Sequence, residues 1–137
     1  MPSVSQADYE LLATFRQTLR EFIRFSEQAA AAARVPPQQH QAMLLIKGSP
    51  ERRPLTVGRL AEQLQIRHQS AVGLINRMVG GGLVRKSTDP TDHRGVLIEL
   101  TARGEKLLRR LSAAHKAEIA RIGPALRRAL DELNSAV

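Results

Sequence analysis

The run Asp92-His93-Arg94-Gly95-Val96-Leu97-Ile98-Glu99-Leu100-Thr101 joins a charged turn to a strand and then to the start of a helix. Val96, Ile98 and Leu100 alternate with their neighbours, so they share one face of a strand. Thr101 is a residue type that caps helix N-termini, and it closes that strand. Just upstream, Thr88-Asp89-Pro90-Thr91-Asp92 is a polar loop marked by its proline, and Leu83-Val84-Arg85-Lys86 begins the strand before it. The segment predicts a β-hairpin with a basic tip.

Before the hairpin lie two short helical patterns. Thr56 predicts an N-cap for a helix over 57–64, Gln65-Ile66 make a turn, and a second helix runs from His68 to Gly80. Ala71, Leu74, Ile75 and Met78 recur at helical spacing and form its buried face, and Gly80-Gly81-Gly82 terminates it. Two helices and a tight turn, followed by a basic hairpin, are the plan of a winged helix-turn-helix. That plan presents one helix and one ribbon to duplex DNA.

Longer helices flank this unit. From Gln6 to about Arg34, Leu11, Leu12, Phe15, Leu19, Phe22 and Ile23 fall at three- and four-residue steps, an alanine run follows, and Pro36-Pro37 ends the pattern. A second helix spans roughly Pro37 to Ile46 and closes at Gly48, and Ser49-Pro50-Glu51-Arg52-Arg53-Pro54 reads as a loop. After Thr101 a long helix is expected to run to about Ile122, with Leu107, Leu108, Leu111, Ile119 and Ile122 on one stripe. Gly123-Pro124 is expected to break it, and a last helix to follow through Leu126, Leu130 and Leu133.

The predicted fold is all-α with a small, two-stranded β-hairpin wing, in one domain over residues 1–137. Residues 36–101 are the winged helix-turn-helix lobe, and residues 1–35 and 102–137 are N- and C-terminal dimerisation helices. Wide apolar stripes at both ends exceed what so small a core needs, which points to a symmetric homodimer. Its interface is expected to use Leu11, Leu12, Phe15, Leu19, Leu111, Ile119, Ile122, Leu126, Leu130 and Leu133.

Composition narrows the partner. The formal net charge is +8 over 137 residues, with a pI near 11.2, which favours an anionic partner, either nucleic acid or a lipid surface. The excess is uneven: net +1 over residues 1–50, and +4 over both 51–94 and 101–137. The second basic block sits on a long helix, where Arg109, Arg110, Arg127 and Arg128 also fit a plain solvated face. No apolar run is long enough to span a bilayer and no apolar signal segment follows Met1-Pro2-Ser3, so no membrane role and a cytoplasmic location are expected. Cysteine is absent, which removes disulfides, thiolate chemistry and cysteine zinc sites. Tryptophan is absent and aromatics are 3%, too few to stack unpaired bases, so double-stranded DNA is the better partner.

No Gly-rich phosphate loop, paired-carboxylate site, nucleophile elbow or cofactor motif is present, so neither catalysis nor a cofactor is expected. His40 and His115 are the histidines outside the DNA-binding part, and they can meet if the second and fifth helices pack together. Without a third ligand they make no metal site, which leaves His40 as a core, interface or pocket-lining residue.

These residues resemble the MarR family of bacterial transcriptional regulators over nearly the whole chain. The strongest element is Asp92-x-Arg94 followed by Val96, Leu100, Thr101 and Gly104. Leu55-Thr56-Val57 with Leu60-Ala61, Leu74-Ile75-Asn76-Arg77-Met78 and Gly82-Leu83-Val84 support it. The resemblance implies an obligate homodimer, joined through its first and last two helices, on a pseudo-palindromic operator with half-sites roughly 10 bp apart. It also implies a repressor released by a small, often anionic and aromatic, inducer held between the dimer helices and the lobe. Here that would involve Phe15, Arg16, Leu19, His40, Met43 and Leu44. Three positions depart from the family pattern. Arg67 replaces the usual capping Asp or Ser, which leaves helix amides for a phosphate. Gly73 replaces a groove-contacting polar residue, and His40 replaces an aromatic one.

The expected DNA contacts follow. Gln69, Ser70, Gly73 and Asn76 point away from the buried face and toward the major groove, where Gln and Asn pair bidentately with adenine. Thr56, Arg67, His68 and Arg77 complete the helix side. Arg94 would enter the minor groove with Asp92 orienting it and His93 beside it, while Arg85 and Lys86 would touch phosphates. Polar residues also suit any solvated helix surface, so a winged-helix module that binds DNA or protein without an inducer is the alternative reading.

Overall fold

The computed structural model describes residues 2–49, 54–91 and 95–135. Helix α1 (Gln6–Ala32) begins with a reciprocal cap: the Ser5 hydroxyl accepts from the Asp8 amide, and the Asp8 carboxylate accepts from the Ser5 amide. Helix α2 (Pro37–Gly48) starts on a proline, whose missing N–H costs nothing in the first turn. Strand β1 (Leu55–Thr56), α3 (Val57–Leu64), α4 (His68–Gly80), β2 (Val84–Thr88), β3 (Val96–Leu100) and α5 (Ala102–Ser135) complete the order. No helix of the described residues is long and apolar enough to cross a membrane.

The lobe packs as expected. Thr56 accepts from the Arg59 amide as N-cap of α3, and Gln65 turns the chain in the left-handed conformation before α4. Ala71, Leu74, Ile75 and Met78 are buried together with Met43, Leu60 and Ile98. Each large side chain removed from water here contributes about 1.5–3 kcal/mol.

The sheet corrects the two-stranded expectation. Leu55–Thr56 adds a third strand, and the order is β1-β3-β2, all antiparallel. Two residues are too short a run to show alternation, and Thr56 also fills the N-cap role its residue type predicts. Strand β3 is therefore central rather than one side of a ribbon. Its burial corrects the single-face reading as well: Leu97 is buried alongside Ile98 and Leu100, and Val96 is exposed. Leu97 lies opposite both Thr56 and Ser87, so neighbours cover it from either side. Thr88, expected in the loop, ends β2.

Helix α5 corrects the break expected at Gly123-Pro124. It runs unbroken for 34 residues with Pro124 inside it. An interior proline loses one backbone bond and crowds the carbonyl four residues back, at about 3 kcal/mol. Packing of α5 along α1 offsets that cost, since α5 residues are buried on both sides of the proline. Gly123 beside it has no atom within 4 Å of where a side chain would start, so the backbone has room to adjust.

The same packing corrects two residues of the expected dimer face. Leu111 and Ile122 are 5% and 7% exposed within one chain, so they belong to its own core. Leu12, Leu19, Ile119 and Leu130 are exposed, while Leu11, Phe15, Leu126 and Leu133 are half-buried. Exposed apolar side chains thus remain on both α1 and α5.

One junction ties the lobe to α5. The Thr101 amide donates to the Leu83 carbonyl (3.0 Å), its hydroxyl donates to the Gly82 carbonyl (2.6 Å), and the Gly104 amide donates to that hydroxyl (3.0 Å). Gly82 takes a positive φ of 74° to offer its carbonyl. The end of α4, the start of β2 and the first turn of α5 are fixed to one another at this point.

Candidate nucleic-acid interface

The recognition surface is built on α4. Burying Ala71, Leu74, Ile75 and Met78 turns the opposite side outward, and His68, Gln69, Ser70, Asn76 and Arg77 are all exposed there. Gln69, Gly73 and Asn76, four and three residues apart, form the centre of that face. Arg67 holds the N-cap position with no side-chain bond to the helix amides, so its guanidinium and the first-turn N–H groups face outward together. Thr56 is half-buried and spends its hydroxyl on capping α3.

Gly73 leaves a gap in the middle of this face, and Arg77 leans over it. A Cβ at Gly73 would lie 3.4 Å from an Arg77 guanidinium nitrogen. The arginine one turn on thus occupies space that a longer residue at Gly73 would fill.

Strand β2 brings a second element against α4. Side chains alternate along a strand, so Arg85 and Lys86 cannot face the same way. Lys86 faces α4 and its ammonium donates to the Asn76 amide oxygen at 2.8 Å. Arg85 stands on the other face, directly opposite Glu99 in the register, and pairs with it at 3.1 Å. The two were expected to act alike as phosphate contacts, and the structure separates them: only Lys86 is on the recognition side.

Asp92, His93 and Arg94, the expected wing-tip contacts, lie outside the described residues. The stem that leads to them is ordered by Asp89, a residue of the expected loop. Asp89 is buried, and its carboxylate accepts from both the Thr91 amide (2.9 Å) and the Thr91 hydroxyl (2.7 Å). Its own amide donates to the Gly95 carbonyl. The signal was there: Asp before Pro-Thr is an Asx-turn pattern, in which the side chain stands in for backbone.

The six residues expected to line an inducer pocket fall in three places. Phe15, Arg16 and Leu19 line an open cleft of about 300 Å³ with Arg20 and Ile23, all on α1. His40 and Met43 point into the core, and Leu44, 52% exposed, lines a different groove beside α3. The reason is helical geometry: Leu44 sits one residue past Met43, about 100° round α2 and off its buried side.

His40 and His115 do meet, with ring centroids 4.9 Å apart where α1, α2 and α5 converge. Phe22 and Phe25 contact His115 edge-on. His115 Nδ1 donates to the Leu111 carbonyl at 2.6 Å, and Nε2 shares a hydrogen bond with the Ser26 hydroxyl at 2.8 Å. No group of three or more His, Asp or Glu side chains suited to a metal occurs among the described residues. Burial first, and the His115 ring second, hold His40 below the usual histidine range.

That shift has a sign. With its folded pKa below its unfolded one, His40 is protonated more readily in the unfolded chain as pH falls through the window between them. Stability is therefore full above about pH 6.5, the ordinary histidine value, and declines below it. The urea midpoint is expected to drop between pH 7 and pH 5, and the drop to shrink in His40→Leu. An identical drop in that variant would assign it to other groups.

Comparison with known proteins agrees with this geometry. A MarR family model matches residues 35–95, the stretch from the start of α2 to the wing. No curated protein matches the chain by sequence. Among solved structures, RV1404 from Mycobacterium tuberculosis is 22% identical with a TM-score of 0.76, covering 98% of this chain and 97% of that one. AbsC, a MarR family transcriptional regulator from Streptomyces coelicolor, is 20% identical at 0.74, covering 99% and 93%. A MepR–DNA complex from S. aureus is 16% identical at 0.68, covering 98% and 100%. At such identities the likeness is one of fold.

Proposed function

We propose that this chain, whose residues 35–95 match the MarR family and whose fold is that of MarR winged-helix structures, is a DNA-binding transcriptional regulator that acts as a homodimeric repressor. The observation that carries the reading is the outward face of α4. It is polar and basic, carries Gln69, Ser70, Asn76 and Arg77 around Gly73, and is flanked by Lys86 from the wing. Solved relatives of the same fold were crystallised on DNA, among them MepR from S. aureus.

In this reading α4 enters the major groove. Gln69, Asn76 and Arg77 meet base edges, and Arg67, His68 and the first-turn amides meet a phosphate. Arg94, with Asp92 and His93 beside it, is assigned to the minor groove on its sequence position alone. The exposed Leu12, Leu19, Ile119 and Leu130 pair two chains, so that two copies of α4 meet successive grooves. Repression is then occlusion of the bound segment. Release by a small, aromatic or anionic inducer belongs to the same proposal; within one chain Phe15, Arg16 and Leu19 line one cleft, and His40, Met43 and Leu44 lie elsewhere.

The test is affinity for duplexes from the chain's own upstream region over a salt series. Sequence-selective binding whose logarithm falls steeply with the logarithm of salt, about 0.9 per phosphate neutralised, supports the reading. Binding that ignores sequence, or none, contradicts it.

Gly73→Ala separates fold from function. In a helix interior alanine is favoured over glycine by about 1 kcal/mol, so the variant is expected to unfold at higher urea. The added methyl fills the gap in contact with the Arg77 guanidinium, and duplex affinity is expected to fall several-fold. Unchanged affinity would show that the centre of this face does not touch DNA.

A further inference from the structure

The bond between Lys86 and Asn76 restricts what Asn76 can read. An ammonium carries three donors and no acceptor, so the Asn76 atom 2.8 Å away must be the amide oxygen. The two N–H donors of the same amide are then directed away from Lys86. Asn76 is exposed, two helical turns after Gln69 on the face centred at Gly73. Lys86 is held in its place by the register of β2 on the central strand, where it lies opposite fully buried Ile98. What this corner of the interface presents is therefore mainly donors, the amide N–H groups and the remaining ammonium N–H groups, with the second lone pair of the Asn76 oxygen left beside the ammonium charge.

Base edges respond differently to such a set. Bidentate pairing with adenine needs an acceptor for N6–H and a donor for N7, and Lys86 takes one lone pair of the Asn76 oxygen and sets a positive charge against any N6–H that approaches the other. Guanine offers two acceptors, O6 and N7, and suits donors alone. We propose that Lys86 is a specificity-determining residue, which by holding the Asn76 oxygen and placing its charge there converts that amide from an adenine reader into part of a donor-rich guanine reader. This rests on the DNA-binding reading above, and it replaces the adenine pairing that asparagine alone predicts.

The experiment is selection of bound duplexes from a random pool by the full chain and by Asn76→Ala, Lys86→Met and Lys86→Arg. All three substitutions fall on exposed side chains. The parent chain is expected to select guanine at one position of each half-site, and Asn76→Ala to lose preference there. Lys86→Met frees the amide oxygen and is expected to shift the guanine-to-adenine ratio at that position about tenfold toward adenine, the size of one well-made base pairing. Lys86→Arg, which keeps the donors, is expected to retain guanine. A structural role alone would lower affinity without moving base preference. Adenine selected by the parent chain, guanine kept by Lys86→Met, or a pattern untouched by Asn76→Ala each overturns the proposal while leaving DNA binding intact. A parent chain that enriches no sequence overturns the functional reading and this proposal together.

Discussion

Gly104→Ala is expected to lower the unfolding free energy by about 3 kcal/mol, the upper end of what one misplaced methyl costs in a packed site. A Cβ at Gly104 would lie 2.1 Å from the Leu83 carbonyl oxygen, and 3.1 Å from its carbon. That oxygen cannot retreat freely, because it accepts from the Thr101 amide. Either α5 shifts or the start of the wing does, and both are tied through Thr101 to Gly82. Duplex affinity should therefore fall along with stability, since the junction sets where α4 and the wing stand relative to α5. Urea unfolding measures the first effect. Gly80→Ala is the control, for a side chain there would meet nothing within 4 Å. A Gly104→Ala midpoint equal to that control would show that the junction is soft.

The second large effect is expected at Ile119, which is 51% exposed in the single chain. In the proposed dimer Ile119→Glu places two carboxylates, one per copy, in an apolar interface. An uncompensated buried charge costs about 3–5 kcal/mol, so the dimer should dissociate by more than about 100-fold. The chain's own fold should hold, because Ile119 lies outside the α1–α5 core that buries Leu111 and Ile122. Sedimentation of the variant should give a folded monomer with correspondingly weak duplex binding. A dimer that persists would move the interface elsewhere.

The lobe was legible in the sequence because its signals are local. A threonine cap, a four-residue apolar period and a triple glycine mark α3 and α4 with nothing else needed. What was not legible depends on tertiary context. β1 exists because Leu55 finds Ile98 across the sheet, not because two residues prefer a strand. Pro124 stays inside α5 because that helix packs on α1 and buries residues both before and after the proline, a stabilisation that no helix propensity contains. Leu111 and Ile122 sit on the same periodic stripe as Ile119, and periodicity cannot say which neighbour covers which residue. His40 and His115 were recognised as able to meet, and the Phe22, Phe25 and Ser26 contacts that hold them became visible only in three dimensions.

The recognition face shows the same division. Exposure of Gln69, Ser70, Asn76 and Arg77 follows from burial of the opposite side. The pairing of Lys86 with Asn76, and of Arg85 with Glu99, follows from the register of the wing, which adjacent basic residues in a sequence do not reveal. Neither pair is a large source of stability, since an exposed ion pair contributes about 0–1 kcal/mol and an exposed hydrogen bond largely replaces one to water. Their weight lies in which donors reach a base and which do not.

In the proposed function two chains grip one duplex through paired copies of α4. The most direct measurement is the mass of the complex formed with a selected duplex in sedimentation, at a salt concentration where scrambled duplex is not bound. Two chains per duplex are expected, with binding abolished when half a helical turn, about 5 bp, is inserted between the half-sites. One chain per duplex, or binding indifferent to the insertion, would contradict it.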